Sequence, residues 1–308
     1  MKAALTLAAA LTLGIPLTAQ CAAPTPLRFA SAPAPAERFE VGGMLVERHG
    51  ERGRPMILVP GLASGAWAWQ GMVERFKGDH VLYVVTPAGF SGRAPLQGDL
   101  VAATRQALKD LIVQRGLKAP VLVGHSMGAT LAIMLAQDEP ALVGGVVAID
   151  GLPVFPGTED VPREQRAQMA AQAKASAAGM TPAMYEAQQK NYMRTIGSID
   201  MARADDMAVM SSSSNPAVVT DTMASLLALD LRDRLATIRA PVLVIAPYYA
   251  PDVAQENISM EQKLEYYKTL MAGTPKLTVM PVSPARHFAM IDQPDAVASM
   301  IRDFVKTL

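Results

Sequence analysis

Residues 121–131 read Val-Leu-Val-Gly-His-Ser-Met-Gly-Ala-Thr-Leu, and they constrain the fold more than any other stretch. Val121-Leu122-Val123 has the length and β-branching of a buried strand. It runs straight into a Gly-x-Ser-x-Gly pattern at Gly124, Ser126 and Gly128, and a helical stretch follows from Ala129 to Gln137. Strand, sharp turn and helix in that order put Ser126 on a strained backbone and lift its hydroxyl clear of the sheet. Gly124 and Gly128 carry no side chains to collide where strand and helix crowd together.

The rest of the chain supplies the sheet that such a turn needs. Apolar runs at Met56–Val59, Val81–Val85, Val121–Val123, Val143–Ile149, Val242–Ile245 and Leu277–Met280 alternate with helical stretches. That alternation predicts an α/β fold, a mostly parallel central sheet with helices on both faces. Arg38–Arg48 reads as an antiparallel hairpin, with His49 in a charged stretch at its rim. From Pro162 to Arg234 strand signals nearly vanish, and Ala, Gln and Met dominate. Thr181-Pro182 and Asn215-Pro216 mark helix starts there. The reading is an α-helical cap of several short helices at 155–235, inserted between core segments 37–154 and 236–308. Eight Met lie between 169 and 223, and helix–helix packing is their expected use. Ser211–Ser214 reads as a flexible turn, and Trp67 and Trp69 as core.

On the Gly-x-Ser-x-Gly turn and its flanks, the chain resembles the α/β-hydrolase superfamily from about Phe39 to Leu308. The resemblance implies a serine nucleophile, Ser126, activated by a histidine that takes its proton. Of the four His, His49, His80, His125 and His287, the last follows the apolar run Leu277–Val282 and precedes a C-terminal helix. That is where the superfamily carries its base, and the order Ser126 then His287 matches. His125 lies inside the turn, so its side chain is expected to leave in another direction. Two positions are open for the acid that orients the imidazole. Asp150 directly follows the strand at 146–149, and Asp252 follows the strand at 241–245 after a loop with two prolines. The oxyanion donors implied are the backbone N–H groups of Met127 and Leu62. Relatives usually have His-Gly before the latter; this chain has Pro60-Gly61.

The activity implied is hydrolysis of a small uncharged ester, with a hydrophobic small molecule as partner. Thioester, lactone or C–C bond hydrolysis and acyl transfer use the same residues, and a ligand-binding protein on the same scaffold is the competing class. Superfamily members that hydrolyse epoxides or haloalkanes use Asp where this chain has Ser126.

Composition narrows the rest. With 28 basic and 28 acidic residues the chain has no net charge, and no Lys/Arg block suggests nucleic acid as a partner. No phosphate-binding glycine loop, dinucleotide fingerprint or metal-ligand spacing occurs, so no cofactor or metal is expected. Met1-Lys2 followed by apolar Ala3–Leu17 reads as an export signal, ending near 19–23, with a Pro/Ala-rich tether at 24–36. The expectation is a periplasmic or secreted protein with no membrane span once the signal is removed. A lipid anchor at Cys21 is the alternative, although Gln20 stands where a small residue is wanted.

Overall fold

A computed structural model describes Phe29 and residues 32–308. The expected signal segment and most of the tether lie outside these residues. Eight strands form one sheet: β1 (Glu37–Val41), β2 (Met44–His49), β3 (Pro55–Val59), β4 (Val81–Thr86), β5 (Val121–His125), β6 (Gly145–Ile149), β7 (Val242–Pro247) and β8 (Leu277–Val282). Their order is β1-β2-β4-β3-β5-β6-β7-β8. The β1–β2 hairpin turns at Gly42-Gly43, and β2 also pairs antiparallel with β4; every other pairing is parallel.

The continuous apolar runs follow from burial on both faces. In β3, Ile57 and Val59 enter one core cluster while Met56 and Leu58 enter the other; in β5, Leu122 opposes Val121 and Val123. Helices α2 (Leu100–Gln114) and α3 (Met127–Asp138) pack on the first face with α8 (Met260–Leu270). The second face carries α1 (Gln70–Phe76), α9 (Ala289–Asp292) and α10 (Pro294–Lys306). His49 departs from the expected rim position. It ends β2 opposite Leu82 of β4 and is 5% exposed, because β2 is an inner strand held between β1 and β4. Trp67 and Trp69 are core, as expected, on a short 3₁₀ turn at Ala66–Trp69.

Between β6 and β7 the chain forms a helical cap: α4 (Arg163–Ala177), α5 (Pro182–Tyr192), a π-helical turn (Met193–Gly197), α6 (Met201–Ser212) and α7 (Pro216–Ala228). The Thr181 hydroxyl accepts from the Met184 N–H and Asn215 from those of Ala217 and Val218, each with Pro next in sequence. Ser211–Ser214 is not the flexible turn expected. Ser211 is buried against Gln189, and the Ser214 hydroxyl donates to Ala63 O and accepts from Ser91 N–H. The two Ser214 bonds stitch the cap to the loops after β3 and β4.

The glycines of the turn are tested by bulk. A Cβ on Gly124 would sit 2.2 Å from Gly128 O, and one on Gly128 would sit 2.1 Å from Val59 O. Both obstacles are backbone, so neither gives way. Gly128→Ala is expected to cost at least about 1–3 kcal/mol, read as a lower denaturation midpoint in urea. An unchanged midpoint would mean that α3 does not press on β3 in this way.

Candidate active site

The register of the parallel strands brings three loops to one edge. Val59 of β3 lies beside Gly124 of β5, and His125 lies beside Ile149 of β6. Leu62, Ser126 and Asp150 therefore leave the sheet at neighbouring points on its carboxyl edge. All three loops bend through left-handed backbone, at Ala63 (φ 55°), Ser126 (φ 52°) and Asp150 (φ 45°). Such conformations are costly for residues with a Cβ and persist only where the surroundings hold them. Here the Ser126 N–H donates to Ile149 O at 2.9 Å, and the Asp150 N–H donates to Ile245 O at 3.0 Å.

His287 comes from farther away. After β8 the chain folds back across the edge, and the Ala285 N–H donates to Tyr248 O. The His287 N–H then donates to Ile196 O at 3.1 Å and the Phe288 N–H to Gly197 O at 2.9 Å. Both acceptors belong to the cap's π-helical turn, so this loop is built jointly by core and cap. The imidazole Nδ1–H donates to Asp150 Oδ2 at 2.6 Å. Asp150 thus meets His287, whereas Asp252 does not: both its oxygens are taken by Arg286, at 2.6 and 2.7 Å. Arg286 also donates to Arg194 O and Ser198 O of the cap.

Asp150 is largely buried, with 16% of its side chain exposed, and burial pushes its carboxyl up. The hydrogen bond and charge of His287, together with Lys263 and Tyr267, outweigh this and hold it at about 2. The carboxylate is therefore ionised throughout the neutral range. Its second oxygen, Oδ1, accepts a hydrogen bond from the hydroxyl of Tyr267 on α8. No pattern in the sequence marks Tyr267; a helical Tyr next to Tyr266 reads as core. Tyr267→Phe keeps the ring but removes this donor. Hydrogen bonds to charged groups are worth about 1.5–3 kcal/mol, so a fall in kcat of roughly ten- to hundredfold is expected. A variant that keeps full kcat would remove Tyr267 from the site.

His125 turns away from Ser126 into the core, as expected. Its ring lies 4.5 Å from that of His287 and 4.4 Å from that of Phe288, centroid to centroid. Burial and the neighbouring His287 keep it neutral. Its Nε2 lies 3.0 Å from His287 O, and a carbonyl only accepts, so Nε2 carries the proton. Pro60-Gly61 serves the close approach to this ring: a Cβ at Gly61 would meet His125 Nδ1 at 2.8 Å. Among the described residues, no backbone acceptor takes the N–H of Leu62 or of Met127. Met127 heads α3, where free N–H groups and the helix dipole favour negative charge.

Ser126, His287, Asp150, Leu62 and Met127 all line one cavity of about 610 Å³ between sheet edge and cap. Its remaining walls are mostly apolar, among them Leu152, Phe155, Val219, Met223 and Leu229. Three of the eight cap methionines, Met180, Met193 and Met223, face it; Met207 is packed in the core. Among the described residues no Lys or Arg lines it, and the cap contributes Tyr185, Gln188, Gln189, Tyr192 and Thr220 as polar neighbours. Among the described residues there is no cluster of side chains able to hold a metal ion, and no helix is long and apolar enough to cross a membrane.

Residues 56–300 match the model of the alpha/beta hydrolase family. A 2-succinyl-6-hydroxy-2,4-cyclohexadiene-1-carboxylate synthase of Escherichia coli O1:K1 is 32% identical over 120 residues, 39% of this chain and 47% of that protein, so the match spans about half of that relative's length. A pimeloyl-[acyl-carrier protein] methyl ester esterase of Yersinia enterocolitica is 23% identical over 267 residues, 83% of this chain and 95% of that protein. Among solved structures, a thermophilic esterase from Thermogutta terrifontis superposes with a TM-score of 0.69 at 18% identity, covering 88% of this chain and 99% of that one. With a family match across most of its length and the sheet order described above, this chain belongs to the α/β-hydrolase family of enzymes.

Proposed function

We propose that the chain is a serine hydrolase that cleaves, through an acyl-enzyme, a bond to the carbonyl of a small, uncharged, largely apolar substrate. The observation that carries this is the convergence of Ser126, His287 and Asp150 on a mostly apolar cavity whose lining, among the described residues, holds no Lys or Arg. Asp150 holds Nδ1 of His287, which leaves Nε2 to exchange the proton. Ser126 Oγ attacks the carbonyl carbon while Nε2 takes its proton. The N–H groups of Leu62 and Met127 stabilise the oxyanion. Collapse of the tetrahedral adduct expels the leaving group, which takes the proton from His287. Water, deprotonated by the same Nε2, then releases the acid and frees Ser126.

A plain carboxylesterase is the narrower form of this reading. The name of the methyl ester esterase supports this form, and that of the synthase supports a wider one, in which a lactone, thioester or C–C bond beside a carbonyl meets the same residues. The carboxylate in the synthase's name finds no match here. An anionic substrate would be buried without a cation and beside the ionised Asp150, which is costly. Neutral p-nitrophenyl butyrate and δ-valerolactone should therefore be turned over with kcat/KM at least about tenfold above the hemisuccinate ester, one unpaired charge costing on this scale or more. Faster turnover of the anion would overturn the charge argument. Failure of a fluorophosphonate probe to label Ser126 would overturn the mechanism. We further propose that the apolar segment Ala3–Leu17 exports the protein, to the periplasm or out of the cell; an intact Met1 on soluble protein recovered from the producing cell would overturn this.

A further inference from the structure

A second cavity, of about 420 Å³, opens between α4 and α7 of the cap. Three residues, Ala177, Met180 and Thr220, line both this cavity and the one at Ser126. These three residues therefore form a wall common to both spaces. Two of them are small, and the third is a thioether with rotatable bonds that adapts to what lies against it. Met180 follows Gly179, whose backbone is left-handed (φ +89°) and whose missing Cβ would have met nothing within 4 Å. The chain next to Met180 is thus exposed, with open space over Gly179. On the outer side, Lys174 of α4 and Asp221 of α7 form an ion pair at 2.7 Å, with side chains 52% and 58% exposed. A pair this exposed to water adds little to the packing of α4 against α7.

We propose that the substrate of Ser126 carries an unbranched apolar arm, and that this arm passes out of the active-site cavity between α4 and α7, past Ala177, Met180 and Thr220, towards Lys174 and Asp221. This rests on the reading of Ser126 as the nucleophile and adds the shape of the substrate to it. A flexible chain of methylenes fits a slot between small residues and a pliable methionine, and its burial against the apolar walls supplies the affinity. Whatever polar group ends the arm emerges into water beside the ion pair, so no charge has to enter the cavity. A branched or short acyl group would leave the slot unused.

The test compares p-nitrophenyl dodecanoate with p-nitrophenyl acetate. In wild type the dodecanoate should have the higher kcat/KM. Ala177→Phe fills the slot, and the dodecanoate-to-acetate ratio of kcat/KM should fall about tenfold or more, the scale on which an apolar pocket discriminates. Met180→Ala widens the slot and should raise the ratio or leave it high. Equal losses on both esters, or an unchanged ratio in Ala177→Phe, would overturn the passage. Calorimetric binding of 2-dodecanone needs no turnover and separates the two readings. If neither ester is hydrolysed but Ala177→Phe weakens 2-dodecanone binding about tenfold, a loss of the same apolar contact, the serine mechanism fails and the passage stands. If 2-dodecanone binds wild type and variant alike, the passage fails whatever Ser126 does.

Discussion

Ser126→Ala is expected to remove turnover by about a millionfold, roughly 8 kcal/mol of transition-state stabilisation, the scale of nucleophile deletions in serine hydrolases. In the proposed mechanism the hydroxyl is the group that forms the covalent bond to the acyl carbon, and an alanine methyl cannot replace it. The fold should not notice the change. The strained turn is held by the Ser126 backbone, through its N–H to Ile149 O and its carbonyl accepting from Ala129 and Thr130, and Ala keeps all three bonds. The check is a pair of measurements on one preparation, the steady-state rate and the thermal melt. A variant that melts like wild type yet keeps more than about one per cent of the rate would show that Ser126 is not the nucleophile.

The second large effect is expected at Asp150. Asp150→Asn keeps the size of the side chain but offers the imidazole a group that no longer requires a proton on Nδ1, and it removes the negative charge that stabilises the imidazolium. The loss in kcat should be about ten-thousandfold, the cost of this change in a comparable Ser-His-Asp arrangement. Asp252→Asn should cost less than about tenfold. Its carboxylate faces Arg286 and water, with 36% of the side chain exposed, and pairs of that kind contribute little. Arg286 would keep its bonds to Arg194 O and Ser198 O. The reverse pattern would transfer the acid's role to Asp252. Two mild effects would leave Ser126 and His287 working as a pair.

Some of this arrangement is legible without coordinates because it is local. The run Val121–Val123, the glycines at 124 and 128 and the helical stretch after them state a strand, a turn and a helix in consecutive residues. The pleat explains why the inner strands read as unbroken apolar runs, with a core on each face. The capped starts at Thr181 and Asn215 are likewise written in adjacent residues. His49 misled because its charged neighbours, Glu47 and Arg48, suggested solvent, whereas β4 covers the strand they share.

The acid shows where local reading stops. Asp150 and Asp252 both follow the carboxyl end of a parallel strand, and composition does not separate them. Their difference is set by partners far along the chain: Tyr267 and His287 for Asp150, Arg286 for Asp252. The same holds for Ser214 on Ala63 O, for the cap turn that receives the His287 loop, and for the three residues shared by two cavities. The sequence by itself determined the strand order's raw material, the strained serine and the helical character of the cap. These depend on backbone propensity and on periodicity within a few residues. Which carboxylate meets the histidine, and which cap side chains face the serine, was decided only by tertiary structure, because a hydrogen bond of 2.6 Å or a slot between two helices depends on register and packing between segments more than a hundred residues apart or on separate helices.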